Sequence, residues 1–84
     1  MNITFKLFAT LTDYLPPEAK YTNFVVLDIA PETTISQLVE QYCLPPKQVH
    51  LVLVNGSYIA PEQRANQTLT EGDVLAIWPP IAGG

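Results

Sequence analysis

The sequence is poor in the residues that usually stabilise small proteins through covalent bonds or metals. Its 84 residues contain one cysteine, Cys43, and one histidine, His50. A single cysteine excludes an internal disulfide. These two side chains also fall short of the full tetrahedral ligand set of a structural zinc site. We therefore expect no metal site and a core that is stabilised by packing alone.

Basic residues are scarce as well. The net charge is −4, and the cations Lys6, Lys20, Lys47 and Arg64 are scattered along the chain. Nucleic-acid binding needs a basic stripe that displaces phosphate counterions, so we expect no nucleic-acid partner. No run is long and apolar enough to cross a membrane, and the N-terminus lacks the pattern of a signal peptide. The expected setting is the cytoplasm, and the acidic surface suits a basic partner.

The chain does contain enough apolar residues, 48% of the total, to build the core of one small domain. Ile3, Phe5 and Leu7 alternate with polar residues, which indicates a strand with one buried face. Asn55-Gly56 is a strong hairpin signal. The expected strands cover residues 2–8, 23–29, 49–54, 57–60 and 74–78.

One amphipathic helix is expected in the middle of the chain. Thr33 or Thr34 can cap its start, and the diproline at 45–46 ends it. Its apolar positions are spaced by three and four, and Cys43 among them is expected to be a buried packing thiol. These positions are Ile35, Leu38, Val39, Tyr42 and Cys43. The element order predicts an α+β fold of the β-grasp (ubiquitin-like) type, with a mixed four- to five-stranded sheet covered by one main helix.

We divide the chain into a β-grasp domain at residues 1–78 and an extended, flexible tail at residues 79–84. The tail reads Pro79, Pro80, Ile81, Ala82, Gly83 and Gly84. The prolines favour an extended path, and the glycines let the end enter a narrow channel. The carboxylate of Gly84 could then be activated as an acyl-adenylate. Taken alone, such a tail could equally be a disordered terminus.

Strand alternation also predicts an apolar patch on the open face of the sheet. If Ile3, Phe5 and Leu7 face the helix, Phe8 faces away. By the same reasoning Ala76 and Trp78 point outward, as do Leu51 and Leu53. Exposed apolar patches usually mark partner surfaces, and tryptophan is a favoured hot-spot residue. The alternative is a Trp78 that is merely half-buried under a loop.

Several segments resemble the small MoaD/ThiS-like sulfur carriers of the ubiquitin-like superfamily, and in particular the small subunit of molybdopterin synthase. The resemblance covers essentially the whole chain. The diproline before the Gly-Gly end is typical of the molybdopterin branch. The segments that carry the resemblance are residues 3–9, 34–38, 54–56, 69–74 and 79–84.

The resemblance implies a carrier without catalytic activity or bound cofactor. An E1-like adenylating enzyme would activate Gly84 with ATP, and a sulfurtransferase persulfide would convert it to a thiocarboxylate. The tail would then enter the large molybdopterin synthase subunit and donate sulfur for the dithiolene. The resemblance also implies that Phe8, Tyr58 and Trp78 contact that subunit.

Three other functions remain open at this point. The same thiocarboxylate could serve thiamine, cysteine or tRNA thiolation. Gly84 could instead be joined to lysines of other proteins, as in a ubiquitin-like modifier. A pure binding module with an incidental tail is the last possibility.

Overall fold

The fold is built around a mixed sheet that an α-helix covers on one face. The computed structural model describes residues 1–80, and the predictions for residues 81–84 lie outside this range. The strands are β1 (Asn2–Leu7), β2 (Phe24–Asp28), β3 (Leu51–Val54), β4 (Ser57–Tyr58) and β5 (Val74–Trp78). The helix α1 spans Ile35–Gln41. Short 3₁₀-helices at Ala9–Tyr14, Pro17–Ala19, Pro46–Gln48 and Pro61–Gln63 fill the connections.

The strands lie in the order β2-β1-β5-β3-β4. The first and last strands, β1 and β5, are neighbours and run parallel. All other pairs in the sheet are antiparallel. This five-stranded arrangement confirms the expected α+β fold. It also places β5 in the centre of the sheet, so the chain leaves the domain from a strand that is paired on both sides.

The start of α1 is fully hydrogen-bonded. Thr34 is the N-cap and forms a capping box with Gln37, in which each side chain accepts from the other residue's backbone N–H. The N–H of Ile35 donates to the Gln67 carbonyl, and the N–H of Ser36 donates to the Arg64 carbonyl. The segment before β5 therefore supplies acceptors that the helix itself lacks.

The end of α1 corrects one expectation. Cys43 is exposed rather than buried, and its φ angle is 58°. The N–H of Cys43 donates to the Glu40 carbonyl and that of Leu44 to the Val39 carbonyl, both at 3.0 Å. This is a Schellman ending, in which the residue after the cap turns into the left-handed region. The turn directs Cys43 to solvent and buries Leu44 in its place.

The core lies between α1 and one face of the sheet, as strand alternation predicts. Ala76 differs in its burial: it lies on the open face as expected, but it is only 7% exposed. Lys6 and Leu53 flank it on the two neighbouring strands, so its small side chain is shielded. The fully buried side chains include Ile3, Phe5, Leu7, Ile35, Leu38, Val52, Leu75 and Ile77.

Two turns at the edge opposite the tail follow the sequence signals. Asn55 and Gly56 both have positive φ angles, 52° and 84°, as a tight hairpin turn requires. Gly72 has a φ angle of 85° in the turn before β5. Within residues 1–80, no helix is long and apolar enough to cross a membrane.

Candidate docking face and tail exit

The open face of the sheet brings together all five side chains that the sequence predicts for partner binding. We call Phe8, Leu51, Leu53, Tyr58 and Trp78 the apolar patch. The strand register sets Leu51 opposite Trp78 and Leu53 opposite Tyr58. Phe8 follows β1, and its ring stacks on Trp78 with the centroids 4.1 Å apart and the planes 2° from parallel.

The apolar patch is only partly shielded. Tyr58 is 55% exposed, and the other four side chains are half-buried. The flat ring of Phe8 shields one side of Trp78. The stack fixes the orientation of the tryptophan without a partner. A rigid aromatic surface of this kind can bind at a low cost in conformational entropy.

Two further apolar side chains on the same face were missed by the sequence analysis. Phe24 and Val26 on β2 are 41% and 58% exposed. They lie opposite Lys6 and Thr4, which separate them from the apolar patch. Residues 24–27 are all apolar, so alternation alone does not show which of them face outward. Only the register with β1 shows this.

The tail leaves the domain beside the apolar patch. The Ile77 carbonyl accepts from the N–H of Phe8 at 3.2 Å, and the Trp78 carbonyl accepts from the N–H of His50 at 3.1 Å. Pro79 and Pro80 have no N–H, so they cannot donate to either neighbouring strand. The sheet therefore releases the chain directly after Trp78. The assignments to Ile81, Ala82, Gly83 and Gly84 lie outside the described residues and stay predictions.

The opposite end of β5 is held by a polar network around Asp73. Its carboxylate accepts from the backbone N–H and hydroxyl of Thr70 and from the side-chain amide of Asn55. Partial burial alone would raise the pKa of Asp73, but these hydrogen bonds outweigh it and hold the pKa below its usual value. The Asn55 side chain also accepts from the N–H of Val74 at 2.8 Å.

Apart from the Tyr58 phenol, the titratable side chains of the described residues are not members of the apolar patch. The apolar patch carries no carboxylate, imidazole or thiol. Burial raises the pKa of Tyr42, which packs against Phe5 and not at the tail exit. In the part of the chain that the structure covers, no group of three or more His, Cys, Asp or Glu side chains is placed to hold a metal ion.

The sheet order and the single covering helix define the class: the chain is a ubiquitin-like β-grasp protein. A sequence profile of the ThiS family matches residues 6–84. The chain therefore belongs to the ThiS family, within the MoaD/ThiS-like group of ubiquitin-fold sulfur carriers and modifiers. Proteins of this group are small carriers and not catalysts themselves. A comparison with curated proteins gives no match.

Solved structures support the same fold. The chain is similar to small archaeal modifier protein 1 of Haloferax volcanii, with 24% identity and a TM-score of 0.68. It is similar to the thiamine biosynthesis protein ThiS of Geobacter metallireducens, with 18% identity and a TM-score of 0.66. A third similar chain comes from the complex of subunits 1 and 2 of the Helicobacter pylori molybdopterin-converting factor, with 16% identity and a TM-score of 0.62. Each match covers 100% of both chains.

Proposed function

We propose that this protein is a sulfur carrier of the molybdopterin synthase small-subunit type. In this proposal the carboxylate of Gly84 is adenylated, converted to a thiocarboxylate and delivered to a large synthase subunit. The sulfur then enters the dithiolene of the molybdenum cofactor. The setting is the cytoplasm, where ATP and an E1-like adenylating enzyme are available.

One observation carries the proposal: the chain exits from the central strand directly beside the apolar patch. Trp78 is the last residue of β5 and belongs to that patch. A partner that docks on the patch therefore receives the tail at a fixed point. The diproline at 79–80 favours an extended path, and the proposal assigns to that path the delivery of the Gly84 carboxylate.

The chemistry needs activation because a carboxylate is a poor electrophile. The Gly84 carboxylate attacks the α-phosphate of ATP, and pyrophosphate leaves. A persulfide of the sulfur donor attacks the acyl carbon, and AMP leaves. A second thiol of the donor then cleaves the acyl disulfide, which releases the thiocarboxylate and leaves a disulfide on the donor. The carrier supplies position and a thin arm, while its partners supply the acids, bases and substrate pockets.

Three features favour the molybdopterin branch. The diproline at 79–80 matches the tail that is typical of that branch. The molybdopterin-converting factor of Helicobacter pylori contains a chain of the same fold in complex with a second subunit. The apolar patch would provide the surface for such a subunit here.

The intact mass of the protein tests the proposal. After incubation with ATP, the cognate E1-like enzyme and a persulfide donor, we expect a mass gain equal to the difference between sulfur and oxygen. Deletion of Gly84 should abolish this gain, because the next carboxylate lies one residue short of the activated position. The thermal unfolding of the truncated chain should be unchanged. Full sulfur transfer by the truncated chain would contradict the proposal.

The similarity to small archaeal modifier protein 1 favours a second candidate, a protein modifier joined through Gly84 to lysines of other proteins. The same incubation with cell extract distinguishes the two functions. A covalent adduct with the mass of a target protein would indicate a modifier. A thiocarboxylate that is consumed by a thiamine, cysteine or tRNA thiolation enzyme, and not by a large synthase subunit, would assign another carrier pathway.

A further inference from the structure

Within residues 1–80, Arg64 is a buried cation without an acidic partner. It is 8% exposed, and within residues 1–80 the ion pair found joins the Met1 ammonium to Asp28. Its guanidinium donates to three backbone carbonyls instead. Nε donates to Ile59 at 3.1 Å, Nη1 to Val49 at 3.3 Å and Nη2 to His50 at 3.1 Å. A buried charge is costly to desolvate, so these three charge-assisted bonds are what hold it in place.

Two of these carbonyls lie at the entry of β3, beside the exit of the tail. The peptide group between Val49 and His50 is hydrogen-bonded at both ends. Its carbonyl accepts from Arg64, and its N–H donates to the Trp78 carbonyl at 3.1 Å. A cation at the carbonyl polarises the peptide and makes its N–H a stronger donor.

The Trp78 carbonyl is the last acceptor of β5 before the prolines, and the N–H of His50 donates to it. The chain 49–50 that supplies this N–H lies outside β3 itself, directly after the 3₁₀-helix Pro46–Gln48. Regular strand pairing begins one residue later, where Leu51 faces Trp78. The guanidinium of Arg64 donates to both carbonyls of residues 49 and 50 at once, so its planar donors constrain the chain that carries the His50 N–H.

Arg64 is itself anchored to the helix. Its own backbone carbonyl accepts from the N–H of Ser36 in the first turn of α1. A continuous set of hydrogen bonds thus runs from the helix through the Arg64 residue to the peptide 49–50 and on to Trp78. These hydrogen bonds connect Trp78, where the tail begins, to the first turn of α1.

We propose that Arg64 is a positioning residue for the C-terminal tail, which fixes the direction in which the chain leaves Trp78. This inference rests on the proposed carrier function only for its consequence in adenylation. The effect of Arg64 on the hydrogen bond between His50 and Trp78 does not depend on the carrier function. Loss of the guanidinium donors should leave Trp78 paired with Leu51 and stacked on Phe8, while the Trp78 carbonyl and the chain that follows it become less constrained.

Amide hydrogen exchange, followed by NMR, tests whether Arg64 stabilises the hydrogen bond from His50 to Trp78. In Arg64→Met, which keeps the length of the stem and removes the donors, the His50 amide should exchange about tenfold faster. The Thr4 amide, which donates to the Asp73 carbonyl at the far end of the sheet, should change little. Lys20→Met removes the same charge from an exposed position and should alter neither amide. Equal acceleration of the His50 and Thr4 amides in Arg64→Met would overturn the proposal.

The kinetics of adenylation test whether Arg64 also affects how the tail enters the adenylating enzyme. Because docking is retained and only insertion of the tail is impaired, kcat for the carrier should fall about threefold to tenfold with little change in KM. A purely structural role would lower the folded fraction and raise the apparent KM without changing kcat, and this would also overturn the proposal. Arg64→Lys keeps the charge but not the fork, so it should resemble Arg64→Met, and it serves if Arg64→Met fails to fold. If the wild-type chain is not adenylated at all, the carrier function fails while the exchange experiment still decides the role of Arg64.

Discussion

The two faces of the sheet are formed by alternate residues of the same strands, and they differ in what covers them. On β5, Ile77 is fully buried under α1, while its neighbour Trp78 lies half-buried on the open face. On β1 and its extension, Leu7 and Phe8 show the same contrast. Because the helix-covered face holds the buried core, we expect it to carry most of the stability and the open face to tolerate substitution better. The comparison predicts that substitutions on the two faces have different effects.

The largest effect is expected from matched phenylalanine substitutions on the two faces. Phe5→Ala removes a fully buried ring that packs against Tyr42 with the centroids 4.8 Å apart. It should lower the free energy of unfolding by about 3–5 kcal/mol, as measured by urea denaturation. Phe24→Ala makes the same chemical change on the open face and should cost less than about 1 kcal/mol. Equal losses would refute the division between the faces.

The next effect concerns binding. If the protein is the small-subunit carrier that we propose, Trp78→Ala should weaken its affinity for the large synthase subunit by about 2 kcal/mol, or about thirtyfold in Kd, because a central aromatic side chain is lost. The isolated domain should stay folded and lose only about 1 kcal/mol with the Phe8 stack. Isothermal titration calorimetry measures the first quantity and thermal unfolding the second. Tyr21→Ala, an exposed aromatic residue outside the sheet, is the matched control, and unchanged affinity of Trp78→Ala would argue against docking on this face.

The smallest effect should come from Asp73, which lies in the turn before β5 and belongs to neither face of the sheet. The pKa of Asp73 is lowered in the folded protein, so its ionised form favours folding above the usual carboxyl pKa. That contribution is lost as the pH falls through the folded-state pKa. Asp73→Asn should therefore cost less than about 1 kcal/mol at neutral pH, since solvent screens the group. It should also flatten the loss of stability below pH ~4. An unchanged acid profile in urea denaturation would contradict this role.

Much of the fold could be predicted because its signals are local. Alternation along β1 and β5 identified the buried face, and Asn55-Gly56 identified the hairpin. The residue types before the apolar run limited the N-cap to Thr33 or Thr34, and the structure uses Thr34. Each of these depends on a few neighbouring residues and on backbone geometry.

The errors arose where the backbone departs from an ideal helix or where tertiary contacts decide the structure. Cys43 fits the apolar spacing of the helix, but the Schellman ending turns it outward. Phe24 and Val26 were not assigned to the open face because their orientation depends on pairing with β1. The bonds of Arg64 to Val49 and Ile59 join segments that no sequence pattern connects. A lone arginine in a polar stretch gives no sign that it is buried.

The parallel pairing of β1 with β5 also has a kinetic consequence. These strands lie near opposite ends of the sequence, so their contact closes nearly the whole chain into a loop and is costly in entropy. During synthesis the β1–β2 hairpin must wait with one edge unpaired until residues 74–78 have emerged. The same event then completes the sheet and anchors Trp78. The pairing of Trp78 with Leu51, and with it the arrangement of the apolar patch, therefore forms only after residues 74–78 have joined the sheet.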